Sequence, residues 1–251
     1  MAAGRPGKQL PKAGIIIQAR MDSTRLPGKV LMPLGGSTML DILVSRLKES
    51  RLPLILATSM LPSNDVLEAK ARELDIICHR GSEEDVLSRF YDAAKAAELD
   101  IIVRVTADNP LLDGKLVRSY VDEYIKQEND NLYLSTSLKK SLPIGISFEI
   151  FSFHMLETAY KNAVTIQERE HVTPYFYNDQ AACDKIPVKY ISDKSAYRLT
   201  VDTEKDLQLI RILIEEYHAA TLSYIDIISI MDREKDLVDI NTGIVQKKWN
   251  E

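Results

Sequence analysis

The sequence predicts an α/β protein built on a mixed, mainly parallel sheet. Three observations carry this reading. Short apolar runs recur at 15–17, 54–57 and 101–105, with the composition of strands buried on both faces. Between them lie stretches with apolar residues at helical spacing, opened by Ser, Thr, Asp or Asn. Strand and helix alternate in the rhythm of βαβ units.

Ile15, Ile16 and Ile17, bounded by Gly14, form the first strand. It runs into a loop carrying Arg20, Arg25 and Lys29, shaped by Pro27 and Gly28. Ser37 or Thr38 caps the next helix with Asp41, and Leu40, Leu43, Val44 and Leu47 make its apolar stripe. Residues 54–57 form a second strand. Ser63, Asn64 and Asp65 start a helix to about residue 74, and 75–78 is a third strand. Arg80-Gly81-Ser82 reads as a turn, with Ser82 and Asp85 capping a helix that buries Leu87, Phe90, Tyr91 and Ala94.

Residues 101–105 form the fourth strand, followed by Thr106-Ala107-Asp108-Asn109-Pro110-Leu111 and a helix near Asp113. Further on, 132–135 and 146–151 read as strands, 165–177 as a charged helix and 185–191 as an antiparallel strand. Residues 197–203 read as a last strand ending at Asp202, with Thr203 and Asp206 capping a helix faced by Leu207, Ile210 and Ile214. An amphipathic segment, 224–231, precedes a polar tail with Trp249, to which no role is assigned.

The 251 residues suffice for one large domain. Residues 1–13, rich in Gly, Pro and Lys, read as a disordered tail, leaving 14–251 as a single domain. A net charge of −5 argues against nucleic acid or a membrane surface as partner. Cys78 and Cys183 form no C-x-x-C pair, and the four histidines form no zinc motif. No apolar stretch is long enough to span a bilayer, so a cytoplasmic location is expected.

Three cations leaving the end of a buried strand match a polyanion, because Arg and Lys pair with phosphate oxygens. Ligands of parallel sheets bind outside the carboxyl ends of the strands. Asp108 lies at such an end, either as part of a strand-stopping turn or as a ligand to a divalent metal. Asp202 either favours the start of its helix through the dipole or joins Asp108 at that metal. Glu149, alternating with Ile146, Phe148 and Ile150, has a solvated outward position as its plainer reading. His171 has a structural one. The sequence lacks both G-x-x-x-x-G-K-[ST] and G-x-G-x-x-G, so side-chain cations would hold the phosphates.

The stretches QARMDSTRLPGKVL, RGSEEDVLSRF, VRVTADNPLLD, EREHVTPY and RLTVDTEKDL, in this order, resemble the SpsF-type spore-coat polysaccharide biosynthesis proteins. These belong to the cytidylyltransferases that include the enzymes activating 3-deoxy-octulosonate and acylneuraminate. The likeness runs from Ile15 to about Leu213. It implies a Rossmann-like, three-layer nucleotidyltransferase fold of the GT-A type. It implies transfer of CMP from CTP to a sugar or sugar acid, with Mg²⁺ as cofactor, in a homodimer.

Carried over by the same resemblance, Gln18, Ala19, Arg20, Arg25, Lys29, Arg80 and Asp108 would contact the nucleotide. Arg20, Lys29 and Asp108 would be catalytic, and Asp108 and Asp202 would bind metal. Glu149, Glu168, Arg169 and His171 would meet the acceptor, within a subregion at 131–191 for acceptor binding and dimerisation. The chain departs from the family pattern at Pro143-Ile144-Gly145-Ile146, where an Asp-Gly-x-Asp pattern is frequent, and at Asn109, where Cys is common. Two other readings compete. One is a glycosyltransferase of the same fold, although no Asp-x-Asp pair stands near Asp108. The other is a non-catalytic nucleotide binder.

Overall fold

Ile15, Ile16 and Ile17 are fully buried in β1 (Ala13–Gln18), and they face alternate sides of the sheet. Ile15 and Ile17 join one apolar cluster and Ile16 the other, so β1 is sandwiched between two layers of helices. The computed structural model describes residues 10–177 and 182–246.

After β1 and the cationic loop, a short hairpin of β2 (Pro33–Leu34) and β3 (Ser37–Thr38) leads into α1 (Met39–Lys48). Thr38 and Asp41 close a capping box at its start. Then follow β4 (Leu54–Ser59), α2 (Asp65–Glu73), β5 (Ile77–Gly81), α3 (Val86–Ala96), β6 (Ile101–Thr106) and α4 (Gly114–Lys126). The second half contributes β7 (Leu132–Ser135), β8 (Glu149–Ser152), α5 (Phe153–Asn162), α6 (Ile166–His171), α7 (Pro174–Tyr177) and β9 (Asp184–Pro187). It ends with α8 (Glu204–Glu215), α9 (Tyr224–Arg233) and α10 (Lys235–Asp239).

Seven strands form one sheet in the order β5-β4-β1-β6-β8-β7-β9. The first four are mutually parallel, β8 runs against both neighbours, and β9 is parallel to β7. From β1 the chain moves to β4 on one side, and β6 takes the other. The crevice at this switch, outside the ends of β1 and β6, is where such sheets bind ligands.

Several local expectations are corrected. Asp75 adopts φ 52° in a turn, and the third strand extends through Arg80 and Gly81, so these two are not a turn. Asp85, not Ser82, caps α3 by accepting from Ser88 N. The 165–177 helix is split at Val172, whose φ of 69° no β-branched residue adopts inside a helix. The 185–191 strand is shorter and parallel. Residues 146–148 and 197–203 are not strands; Ile144 and Arg198 form a single isolated bridge. Gly145 lets these segments touch, because at φ 103° a Cβ there would lie 2.4 Å from the backbone of Leu199 and Thr200. The fold also starts earlier than residue 14: Lys12 O accepts from Asp100 N and Ile101 N, and Lys12 N donates to the Asp100 carboxylate. The rest of the expected tail, residues 1–9, and Trp249 lie outside the described residues. No helix among them is long and apolar enough to cross a membrane.

Candidate active site

The carboxyl ends of β1 and β6 open into a cleft of about 670 Å³. Gln18, Ala19, Arg20, Arg25, Lys29, Asp108, His171 and Asp202 all line it, so the structure brings these expected residues together. The cationic loop is tethered to the sheet by Asn64, which is fully buried. Its Oδ1 accepts from Met21 N (2.8 Å) and its Nδ2 donates to Ser59 Oγ (2.8 Å). Gly28, at φ 71°, then turns the chain into a single 3-10 turn that carries Lys29 inward.

Two loops distant in sequence are laced side by side. Val201 N donates to Asp108 O (2.8 Å), and Thr200 Oγ1 donates to the same carbonyl (3.1 Å). This lacing places Asp202 next to Asp108 without the expected strand. Lys29 Nζ lies between them, donating to Asp108 Oδ2 (3.1 Å), Asp202 Oδ1 (2.8 Å) and Val201 O (2.6 Å). Asp108 Oδ1 accepts from Thr106 Oγ1 (2.6 Å).

Asp202 is buried, and its Oδ2 meets Arg25 (3.0 Å) and Arg198 (2.8 Å). Burial alone would raise its pKa; Lys29, Arg25 and Arg198 outweigh that and hold it below the ordinary carboxylate value. Arg198 is itself locked by Asp206 (2.8 Å) and Gln246. Asp206 in turn accepts from the backbone N–H groups of Asp202 and Thr203 (3.0 Å each).

The carboxylates of Asp108 and Asp202 therefore share one positive charge, the Lys29 ammonium. Hard oxygen ligands converging on one cationic group fit Mg²⁺, which binds through one or two carboxylates together with phosphate and water oxygens. Among the described residues no three His, Cys, Asp or Glu side chains stand together as a self-sufficient metal cage. Protein ligation would thus be limited to this pair.

Three expected contacts are placed elsewhere. Arg80 is outside the cleft: its guanidinium is taken up by Asp65 (2.7 Å), Glu68 (2.9 Å) and the carbonyls of Ser59 and Leu61. Glu168 caps α6, accepting from Thr165 N (3.0 Å) and Val164 N (3.2 Å). Arg169 turns away to Asp85 (3.3 Å) and to the carbonyls of Ala163 and Tyr160. Helical geometry explains the substitution, because residues three and four apart share a face. Gln167, Glu170 and His171 line the cleft, while Glu168 and Arg169 point elsewhere. Burial, aided by Arg104 and Arg20, lowers the His171 pKa and so favours its neutral imidazole.

Glu149 is not an outward, solvated residue. It is buried, pairs with Arg104, and accepts from Tyr133, Thr173 (2.8 Å) and Tyr177. Arg104 Nη2 also donates to Gln18 Oε1 (3.1 Å). Burial opposes the charge of Arg104, but Glu149 more than restores it. Arg104 borders both the cleft and an adjoining second cavity of about 280 Å³, to which Thr136, Ser137, Lys140, Glu149 and Tyr177 contribute. Sequence reasoning missed Arg104, Arg198 and Gln246. A lone Arg within the apolar run Ile101–Thr106 was the available signal for the first.

The cytidylyltransferase family model matches residues 14–237. The chain is 38% identical over 241 residues to the uncharacterized protein MJ1063 of Methanocaldococcus jannaschii, covering 94% of this chain and 97% of that protein. It is 36% identical over 233 residues to the spore coat polysaccharide biosynthesis protein SpsF of Bacillus subtilis, covering 88% and 94%. Among solved structures, a cytidylyltransferase from Leptospira borgpetersenii superposes with a TM-score of 0.86 at 30% identity, covering 95% of this chain and all of that one.

Proposed function

The chain belongs to the cytidylyltransferase family and is a CTP-dependent nucleotidyltransferase; from that premise we propose that it transfers CMP to a hydroxyl of a sugar or sugar acid in making a cell-surface polysaccharide such as a spore coat. The acceptor oxygen attacks the α-phosphorus, the bond from that phosphorus to the bridging oxygen breaks, and pyrophosphate leaves. One observation carries the reading: loop cations and two acids from distant segments meet in one cleft at the switch point of the sheet.

Arg20, Arg25 and Lys29 neutralise the triphosphate and stabilise the charge that builds on the leaving pyrophosphate. Gln18 and Ala19, at the end of β1, contact the nucleotide. Asp108 and Asp202 would hold Mg²⁺, which would supply charge screening at the phosphate oxygens and Lewis acidity toward the hydroxyl. The acceptor would bind where the cleft meets the second cavity, beside Arg104 and Thr106, which line both, and the hydroxyls of Thr136, Ser137 and Tyr177 suit a polyol. His171, which lines the cleft and whose neutral form burial favours, would receive the hydroxyl proton. The protein would work in the cytoplasm as a homodimer, and sedimentation velocity reads the dimer.

A pyrophosphate-release assay with each nucleoside triphosphate, alone and with a panel of sugars and sugar acids, tests the reaction. Release with CTP plus one class of acceptor is the expected result. Release with another triphosphate in preference to CTP would refute it, as would transfer of a sugar from a nucleotide-sugar donor.

A further inference from the structure

We infer that Lys29 is the resident counter-ion of the two metal-binding acids, and that a divalent cation enters this site only together with the nucleotide. The inference rests on the reading of Asp108 and Asp202 as metal ligands and adds the order in which the site fills.

The carboxylate oxygens are already taken. Lys29 Nζ covers one oxygen of each acid and spends its third proton on Val201 O. Its side chain is only 10% exposed, so these are not loose surface contacts. The other oxygen of Asp202 is covered by Arg25 and Arg198, and that of Asp108 by Thr106. A cation arriving alone must displace an ammonium that has nowhere better to go.

Charge leads to the same conclusion independently. Asp108, Asp202 and Asp206 are balanced by Lys29, Arg25 and Arg198, three against three. A divalent ion added without an anion leaves two uncompensated positive charges in a cleft of reduced dielectric, which is costly. A triphosphate changes both terms. Its negative charge offsets the incoming metal, and its oxygens offer Lys29 and Arg25 new partners. Lysine, a point charge on a flexible stem, can swing from carboxylate to phosphate. Arg198 cannot follow, because Asp206 and Gln246 hold it. Lys29 thus serves twice, guarding the acids before binding and the phosphates afterwards.

Manganese binding, followed by loss of the free-ion electron paramagnetic resonance signal and by water proton relaxation, tests this on the full chain. Wild-type protein without nucleotide should leave the free Mn²⁺ signal as in buffer, and addition of CTP should give a ternary complex with enhanced relaxation. Lys29→Gln, with its fold checked by circular dichroism, should bind Mn²⁺ without nucleotide at least about tenfold more tightly than wild type. Lys29→Arg, which keeps the positive charge, should, like wild type, leave the free Mn²⁺ signal as in buffer when no nucleotide is present. Equal Mn²⁺ affinity of wild type with and without CTP would overturn the inference, as would a folded Lys29→Gln variant with no gain. Should Lys29→Gln not fold, the wild-type comparison decides alone. Absence of Mn²⁺ from every complex, CTP included, would instead defeat the metal reading on which the inference rests.

Discussion

Replacing Asp202 with Asn should unfold the protein at a markedly lower temperature, besides abolishing turnover. The side chain is 9% exposed and holds Lys29 at 2.8 Å, Arg198 at 2.8 Å and Arg25 at 3.0 Å. The amide keeps the shape and removes the charge, leaving three cations around Asp206 and Asp108. Breaking a buried ion pair by removing one partner costs about 3–5 kcal/mol. The Arg25 contact adds little, since Arg25 is partly exposed. In a chain of this size each kcal/mol moves the midpoint by about 2–4 °C, so the drop should be roughly 6–20 °C. Differential scanning calorimetry reads it directly. A variant melting within a degree or two of wild type would show that Asp202 is not the hub of this cluster.

Asp108→Asn should behave in the opposite way. Its carboxylate is 27% exposed, so stability should change by less than about 1 kcal/mol, while kcat falls about a hundred- to a thousandfold in the pyrophosphate assay. Asn64→Ala removes the tether of the cationic loop and should cost about 1–3 kcal/mol while raising KM for CTP; an unchanged KM would show that the loop is held otherwise. Acid should destabilise the protein in two windows. His171 and His79 have folded pKa values below the ordinary 6.5, both through burial, so their contribution is complete above 6.5 and falls away below it. Asp202 is held below 3.8, so its contribution is complete above that value and is lost as pH falls further. Melting temperature against pH should show both steps, and His171→Gln should shrink the first.

Much of this was legible in residue order because local physics decides it. The apolar runs give β1, β4 and β6, and the caps at Thr38, Asp113 and Thr203 mark helix starts where short polar side chains can reach backbone N–H groups. Asp108 and the loop cations were visible as charges stranded at the ends of buried strands. Other features depend on partners remote in sequence. Arg80 carries the same charge as Arg20, and only the nearness of Asp65 and Glu68 shows that it belongs to the scaffold. Glu149 looked outward by alternation, yet its partner Arg104 comes from the neighbouring strand. In EREH, four consecutive polar residues hid which face of α6 meets the cleft, because register within a short helix is set by its cap.

The claim that the triphosphate lies against the loop after β1 is tested most directly by calorimetric titration of CTP with Mg²⁺ into wild type and the Arg20→Ala/Arg25→Ala double variant. Each charge-assisted contact is worth about 1.5–3 kcal/mol, so the two together should weaken binding by more than about a hundredfold with the fold intact. CTP binding to the double variant with wild-type affinity would contradict the account.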